Sequence, residues 1–184
     1  MNKTLAIVSG LSLLLVSAAG LMLQAQDSKG GKKKERASPH EEAVASFGEK
    51  KITISYGRPY KKGRVIFGGL EPWGKVWRTG ADEATTFTTT SDLMVGPLHV
   101  VAGSYSLFTI PNEKEWTLVL NKTVKQWGAF QYKEGDDYGR APMKIAHGPV
   151  TEQLTIGIKK KNDHEGTLEI KWDESVATID LMVH

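Results

Sequence analysis

Three arginines, two tryptophans and two adjacent acids fall between Tyr56 and Thr85, in the stretch YGRPYKKGRVIFGGLEPWGKVWRTGADEAT. A guanidinium is a planar fork that grips a carboxylate or phosphate through paired N–H bonds. Arg58 and Arg64, with Lys61 and Lys62 between them, could form an anion-binding edge, Glu71 being the nearest acid in sequence. They could equally be a cationic strand edge that deters sheet-to-sheet association. Arg78 lies close in sequence to Asp82 and Glu83. It could clamp a ligand, but the local acids favour an internal ion pair around the Gly80 turn. Trp73, in a Pro-Trp-Gly setting that suggests a loop, could stack on a sugar ring. Trp77, in strand-like Val76-Trp77-Arg78, reads as core, and so do Trp116 and Trp172. Asp82 and Glu83 are neighbours. In an extended strand neighbours face opposite ways, which argues against a catalytic pair made of these two.

A hydrolase would need Asp82 or Glu83 to work with an acid from the 134–140 loop, Asp136 or Asp137, or with a histidine such as His147. A hydrated turn at Gly135-Asp136-Asp137 is the plainer reading. Metal chemistry has no sequence signature here. His40-Glu41 is followed by Val44 where a zincin would place its second histidine, and His40, His99, His147, His164 and His184 are scattered. No metal site and no cofactor is expected. The chain has no cysteine, which removes thiol catalysis, disulfides and thiolate ligands. There is no nucleophile elbow, since Gly103-Ser-Tyr-Ser-Leu107 lacks the final glycine, and no phosphate-binding glycine loop.

The elements that must position these groups are strands. Ile52, Ile54 and Tyr56 alternate with Thr53 and Ser55. Phe87 sits among β-branched threonines, and Tyr105 to Ile110 is an apolar run that Pro111 stops. Trp116, Leu118 and Leu120 alternate, as do Leu154, Ile156 and Ile158, then Leu168, Ile170 and Trp172, and last Ala177, Ile179, Leu181 and Val183. Turn formers separate the runs at Gly68-Gly69, Pro97, Ala102-Gly103, Pro111-Asn112, Asn162-Asp163 and Glu165-Gly166. Many short strands at this spacing predict an all-β antiparallel sandwich, jelly-roll-like or barrel-like. Helix is signalled weakly, as one turn over His40–Ser46. Residues 121–150 are the least regular and are expected to hold a long loop around Gly135.

The start of the chain reads differently. Lys3 precedes an apolar run from Leu5 to Leu23, broken by small residues. Residues 1–25 are expected to be a signal peptide, or an uncleaved anchor, and either way the body is exported to the periplasm or beyond. Residues 26–39 read as a basic flexible linker. Residues 1–36 carry six cations against two acids, so the total charge of +3 leaves the body near −1. That balance gives no electrostatic case for nucleic acid. Membrane contact is expected only through the N-terminal segment, if it is retained. Oligomeric state is left open.

A family resemblance rests on the motifs themselves. Ser38-Pro39, Ile54-Ser-Tyr-Gly-Arg-Pro59, Gly63-Arg-Val-Ile-Phe-Gly-Gly-Leu70, Gly74-Lys-Val-Trp-Arg-Thr-Gly-Ala81 and Glu83-Ala-Thr85 occur in order, followed by Gly103-Ser-Tyr-Ser-Leu-Phe-Thr-Ile-Pro111, Glu115-Trp116-Thr117 and Gln126-Trp127-Gly128. The chain resembles the bacterial DUF2911 family over 38–184. Asp82 stands where the family usually has asparagine, and Gly57 where it often has serine. The resemblance implies an exported β-rich domain and transfers no catalytic residue. The leading expectation is a non-catalytic envelope module at 40–184, binding an anionic or carbohydrate ligand through Arg58, Arg64, Trp73, Arg78, Asp82 and Glu83. The hydrolase is the alternative, and a purely structural domain is the third reading.

Overall fold

The computed structural model describes residues 38–184. The expected leader, and residues 26–37 of the expected linker, lie outside the described residues. The described chain forms nine strands: β1 (His40–Phe47), β2 (Lys50–Gly57), β3 (Thr85–Thr89), β4 (Leu93–Val95), β5 (Leu98–Val100), β6 (Gly103–Ile110), β7 (Glu115–Asn121), β8 (Asp137–Lys160) and β9 (Glu165–Val183). A single 3-10 turn at Glu134–Asp136 is the one helical piece among the described residues. Every strand pairing is antiparallel, and the ladder joins all nine into one sheet in the order β1-β2-β3-β6-β7-β8-β9-β4-β5. The all-β antiparallel class expected from the alternation is what forms. The sheet is not closed; it folds over its core.

The turn weakly signalled at His40–Ser46 is instead strand β1. All eight of its residues pair with β2, from His40 opposite Gly57 to Phe47 opposite Lys50. Ala45 and Phe47 are buried while Glu41 and Glu42 stay exposed. Helix propensity in a short Glu/Ala segment is worth only tenths of a kcal/mol per residue, about the size of one weak contact. Ladder bonding and the burial of Phe47 outweigh it.

The two long strands explain how one sheet encloses a core. The sequence divides the end of the chain into two apolar runs, yet Glu165–Val183 is one strand. Its buried side chains switch parity, from Leu168, Ile170 and Trp172 to Ala177, Ile179, Leu181 and Val183. A strand of strict period two would turn one of these sets to solvent. Asp173 has a positive φ of 54° at the switch, and the β8–β9 register slips on both sides of Thr151, which pairs with Asp173. These irregularities bend the pair and keep both apolar sets inward. β8 makes the matching change, from buried Ala141 and Met143 to buried Leu154 and Ile156.

Beyond the bend, β8 approaches the chain that leaves β2. Tyr60 bridges Gln153, and the Leu154 amide donates to the Pro59 carbonyl at 2.9 Å. The buried Tyr56 hydroxyl accepts from the Ile156 amide at 3.0 Å and donates to the Ile156 carbonyl at 3.3 Å. One phenol thus closes both main-chain groups of a residue far along the chain.

Inside the fold lies an aromatic cluster built on Phe67. Its ring centroid is 4.5 Å from that of Trp116, 5.5 Å from Trp77, 6.1 Å from Trp73 and 6.2 Å from Trp172. Trp77 and Trp172 stack on each other at 5.8 Å. The core readings of Trp77, Trp116 and Trp172 hold, each being almost fully buried. Phe67 and Trp77 belong to the long β2–β3 connection, so the cluster fastens that connection to the sheet.

Replacing Tyr56 by Phe removes the hydroxyl and leaves the buried N–H and C=O of Ile156 without that partner. A loss of about 1–3 kcal/mol in unfolding free energy is expected in denaturant titrations. A change indistinguishable from zero would show that the β2–β8 closure does not depend on this bond.

Candidate functional site

The β2–β3 connection, residues 58–84, is held in place by main-chain bonds at both ends. The Arg58 amide donates to the Pro39 carbonyl at 2.7 Å, and the Lys61 amide to the Glu152 carbonyl at 2.6 Å. The expected short strand at Val76–Arg78 is a single bridge, Trp77 with Thr109, in which each amide donates to the other's carbonyl. Thr79, with a φ of 55°, is buried; its hydroxyl lies 3.1 Å from that of Thr109, and the Thr85 hydroxyl donates to its carbonyl at 2.8 Å. Gly57 is required by close approach: a Cβ there would stand 2.1 Å from the Ala81 carbonyl oxygen. A serine at this position would force the 80–82 turn outward.

The structure divides the expected binding residues among separate jobs. Arg58 is an internal clamp. Its Nε donates to the Leu154 carbonyl at 2.8 Å, Nη2 to the Thr155 hydroxyl at 3.0 Å, and Nη1 pairs with Glu41 at 2.7 Å. All three nitrogens have partners, so Arg58 stitches β1 to β8. Trp73 is 37% exposed and lies against Phe67 with nearly parallel rings. Arg78 is half-buried, with Nε buried and unpaired among the described residues. Its charge acts on the carboxyl of Glu71.

Arg64 differs, because it lines a cavity. Its Nε and Nη2 donate to the Lys61 and Tyr60 carbonyls at 2.9 and 2.5 Å, which fixes the plane of the guanidinium. The cavity is about 360 Å³, and Lys62, Arg64 and Glu71 supply its charged groups. Tyr60, Leu70 and Trp172 supply apolar surface, and Ser38 and Ala81 complete the rim with Pro59. The Trp172 indole N–H is a buried donor without a partner among the described residues. Lys61 is turned to another task, pairing with Asp173 at 3.0 Å. Burial pushes the Glu71 carboxyl up to about 7, against the opposing pull of Arg78 and Arg64. Near neutrality this group therefore exists in both forms.

Two hollows of about 410 and 440 Å³ at the β8–β9 hairpin are larger. Two pairs among their polar groups are Lys161 with Asp180 at 2.7 Å and Asn162 with Glu165 at 2.9 Å. The cavity beside Arg64 has the stronger chemistry.

Asp82 and Glu83 do not face opposite ways. Asp82 has a φ of 65°, so the chain is not extended there. Residues 82–84 run against 126–128: the Gly128 amide donates to the Asp82 carbonyl at 3.0 Å, Glu83 bridges Trp127, and the Ala84 amide donates to the Gln126 carbonyl at 2.9 Å. Both carboxylates converge on His40, whose Nε2 is 3.2 Å from a Glu83 oxygen and 3.9 Å from an Asp82 oxygen. One donor atom from each of the three lies within 4.8 Å of the other two.

The acids of the 134–140 region are committed elsewhere. Asp137 accepts from Asn121, Tyr132 and Arg140 at 2.8–3.0 Å, and Asp136 accepts from the Thr123 hydroxyl at 3.2 Å. Burial and Asp137 push the Tyr132 phenol up to about 12, so it remains a donor. His147 is exposed on β8, opposite Ser175.

The sequence pointed to Lys62 as part of a cationic edge and to His40 only as an incomplete zincin motif; it gave Tyr60 no site role, read Trp172 as core, and offered Glu71 only as a neighbour of the arginines. Glu71 had one usable signal: it is the lone acid between Arg64 and Arg78. Trp172 had none, because it comes from the far end of the chain.

These features define an antiparallel all-β domain with a small charged cavity beside a bent loop. The chain matches the family described as Protein of unknown function (DUF2911) over residues 38–181. It belongs to that family. No curated protein and no solved structure matches it.

An unfolded chain releases the Glu71 proton near 4.5, while the folded chain holds it to about 7. The group's contribution to stability is therefore full below the lower value and is lost as pH rises through the higher one. Glu71→Gln, which mimics the protonated form, should flatten the stability profile across that window and exceed the parent chain in stability at pH above the folded value. Denaturant midpoints measured across the pH range check this; parallel profiles for the two proteins would refute it.

Proposed function

We propose that this protein is an exported binding module that takes a small anionic or carbohydrate ligand in the cavity beside Arg64. The observation that carries this reading is the pairing of an oriented guanidinium, Arg64, and the Lys62 ammonium with apolar surface from Tyr60, Leu70 and Trp172 in one concavity. Such a mix suits a ligand with an acidic substituent on a compact body. Arg64 is already held by two carbonyls, so little order has to be gained when an anion arrives. Glu71, titrating near neutrality, would accept a hydroxyl's hydrogen bond when ionised and donate one when protonated. Export is supported by the apolar leader and basic linker that precede the domain.

A ligand-binding edge running from Arg58 through Arg78 to Asp82 receives less support, since Arg58 is spent on β1 and β8. The hydrolase reading keeps one favourable feature, the 3.2 Å contact of Glu83 with His40.

Calorimetric titration with glucuronate, glucose 6-phosphate and neutral glucose tests the proposal. One or both acidic sugars should bind, and Arg64→Ala should weaken binding about tenfold or more, the worth of one charge-assisted contact. Its melting temperature should stay close to that of the parent, because Arg64 is exposed. Absence of heat with all three sugars, or full affinity in the variant, counts against the cavity. Turnover of a chromogenic glycoside or phosphate ester, lost in Glu83→Gln, would favour the hydrolase.

A further inference from the structure

We propose that His40, Asp82 and Glu83 form a binding site for a divalent first-row transition ion. The donors come from two distant segments, β1 and the loop before β3, and they meet only in the folded chain. Bonds of about 2.0–2.2 Å from one ion to nitrogen and oxygen place neighbouring donors about 3.0–3.6 Å apart in tetrahedral or octahedral geometry. The separation of 3.2 Å between His40 and Glu83 falls in that range, and 3.9 Å between His40 and Asp82 needs a shift of a few tenths of an ångström. All three side chains are about one-third exposed, so an ion can reach them from solvent.

The backbone around the cluster is already organised for convergence. Asp82 occupies the left-handed region, where a side chain other than glycine is disfavoured and Asp is among the better tolerated. This conformation puts two consecutive carboxylates on one side, which an extended chain does not do. Main-chain bonds brace it on both sides, from Ala81 to Gly57 at 3.2 Å and from Gly128 to Asp82 at 3.0 Å. β1 brings His40 to the same place, opposite Gly57 in the ladder.

The donor set indicates the kind of ion. One imidazole and two carboxylates suit Zn²⁺ or Mn²⁺ better than Mg²⁺ or Ca²⁺, which favour oxygen donors alone. Three protein donors leave coordination positions open, as in catalytic rather than structural sites. Ala81 and Ser38, which flank the cluster in sequence, belong to the rim of the Arg64 cavity. The site stands without the cavity's ligand, and its test does not involve that ligand.

The full chain, freed of metal with a chelator and dialysed, is titrated calorimetrically with Zn²⁺, Mn²⁺, Mg²⁺ and Ca²⁺, and melted in the presence of each. Zn²⁺ or Mn²⁺ should bind at about one equivalent and raise the melting temperature, with Mg²⁺ and Ca²⁺ weaker by about tenfold or more. His40→Ala and the double change Asp82→Asn with Glu83→Gln should each weaken binding about 100-fold. Circular dichroism of the metal-free variants checks that they fold. His99→Ala should have no effect; His99 lies near His184 and Asp92 and is the competing place for an ion. In the parent chain, Mn²⁺ should broaden the His40 imidazole resonances before those of His99, which reads the site without any variant. No saturable binding at millimolar ion, affinity that survives the double change, loss of binding in His99→Ala, or broadening at His99 first would overturn the proposal.

Discussion

The insertion of Phe67 among four tryptophans is the interaction on which the rest of the molecule depends. The connection between β2 and β3 spans residues 58–84 and has little regular structure of its own. A segment of that length has high entropy unless its side chains enter a core. Phe67 and Trp77 supply the anchor, meeting Trp116 from β7 and Trp172 from β9. Burial of aromatic rings at this density contributes several kcal/mol, about 1.5–3 kcal/mol for a single large side chain. Arg64 and Glu71 flank Phe67 in sequence, so the cavity inherits its position from the hub.

Close backbone approach sets the finer geometry. Gly57 lets the Ala81 carbonyl come up against the end of β2, and the positive φ values at Thr79 and Asp82 turn the chain twice within four residues. Those turns decide that Asp82 and Glu83 meet His40 rather than diverge. The same passage keeps Thr79 and Thr85 buried and hydrogen-bonded to each other, so the polar loop costs no unpaired hydroxyl at those positions.

Charge is distributed by depth. Arg58, three-fold bonded and half-buried, joins β1 to β8; Arg140 with Asp137 and Tyr132 closes the irregular segment before β8. Both arginines keep contact with water, so these pairs fix side-chain positions and add only modest stability. Arg64, at the surface, is held by carbonyls and is not neutralised by a carboxylate at contact distance among the described residues. Glu71, deeper, is kept from full ionisation by burial. Two cations of similar appearance in the sequence therefore do opposite work.

The sequence by itself determined the all-β class, most strand positions, the burial of Trp77, Trp116 and Trp172 and membership of the family, because period-two alternation and local turn chemistry are properties of neighbouring residues. It also singled out the stretch that supplies Lys62, Arg64 and Glu71 to the cavity and Asp82 and Glu83 to the His40 cluster. Tertiary structure alone decided which arginine is spent internally, since Leu154 and Thr155, the partners of Arg58, lie on a strand nearly a hundred residues away. It decided that β9 is a single bent strand, because the bend at Asp173 is legible only once β8 is paired beside it. It decided that Glu71 shares a cavity with Trp172, and that Asp82 and Glu83 point the same way. These outcomes depend on through-space packing and on φ values set by contacts between distant segments, and no local pattern encodes them.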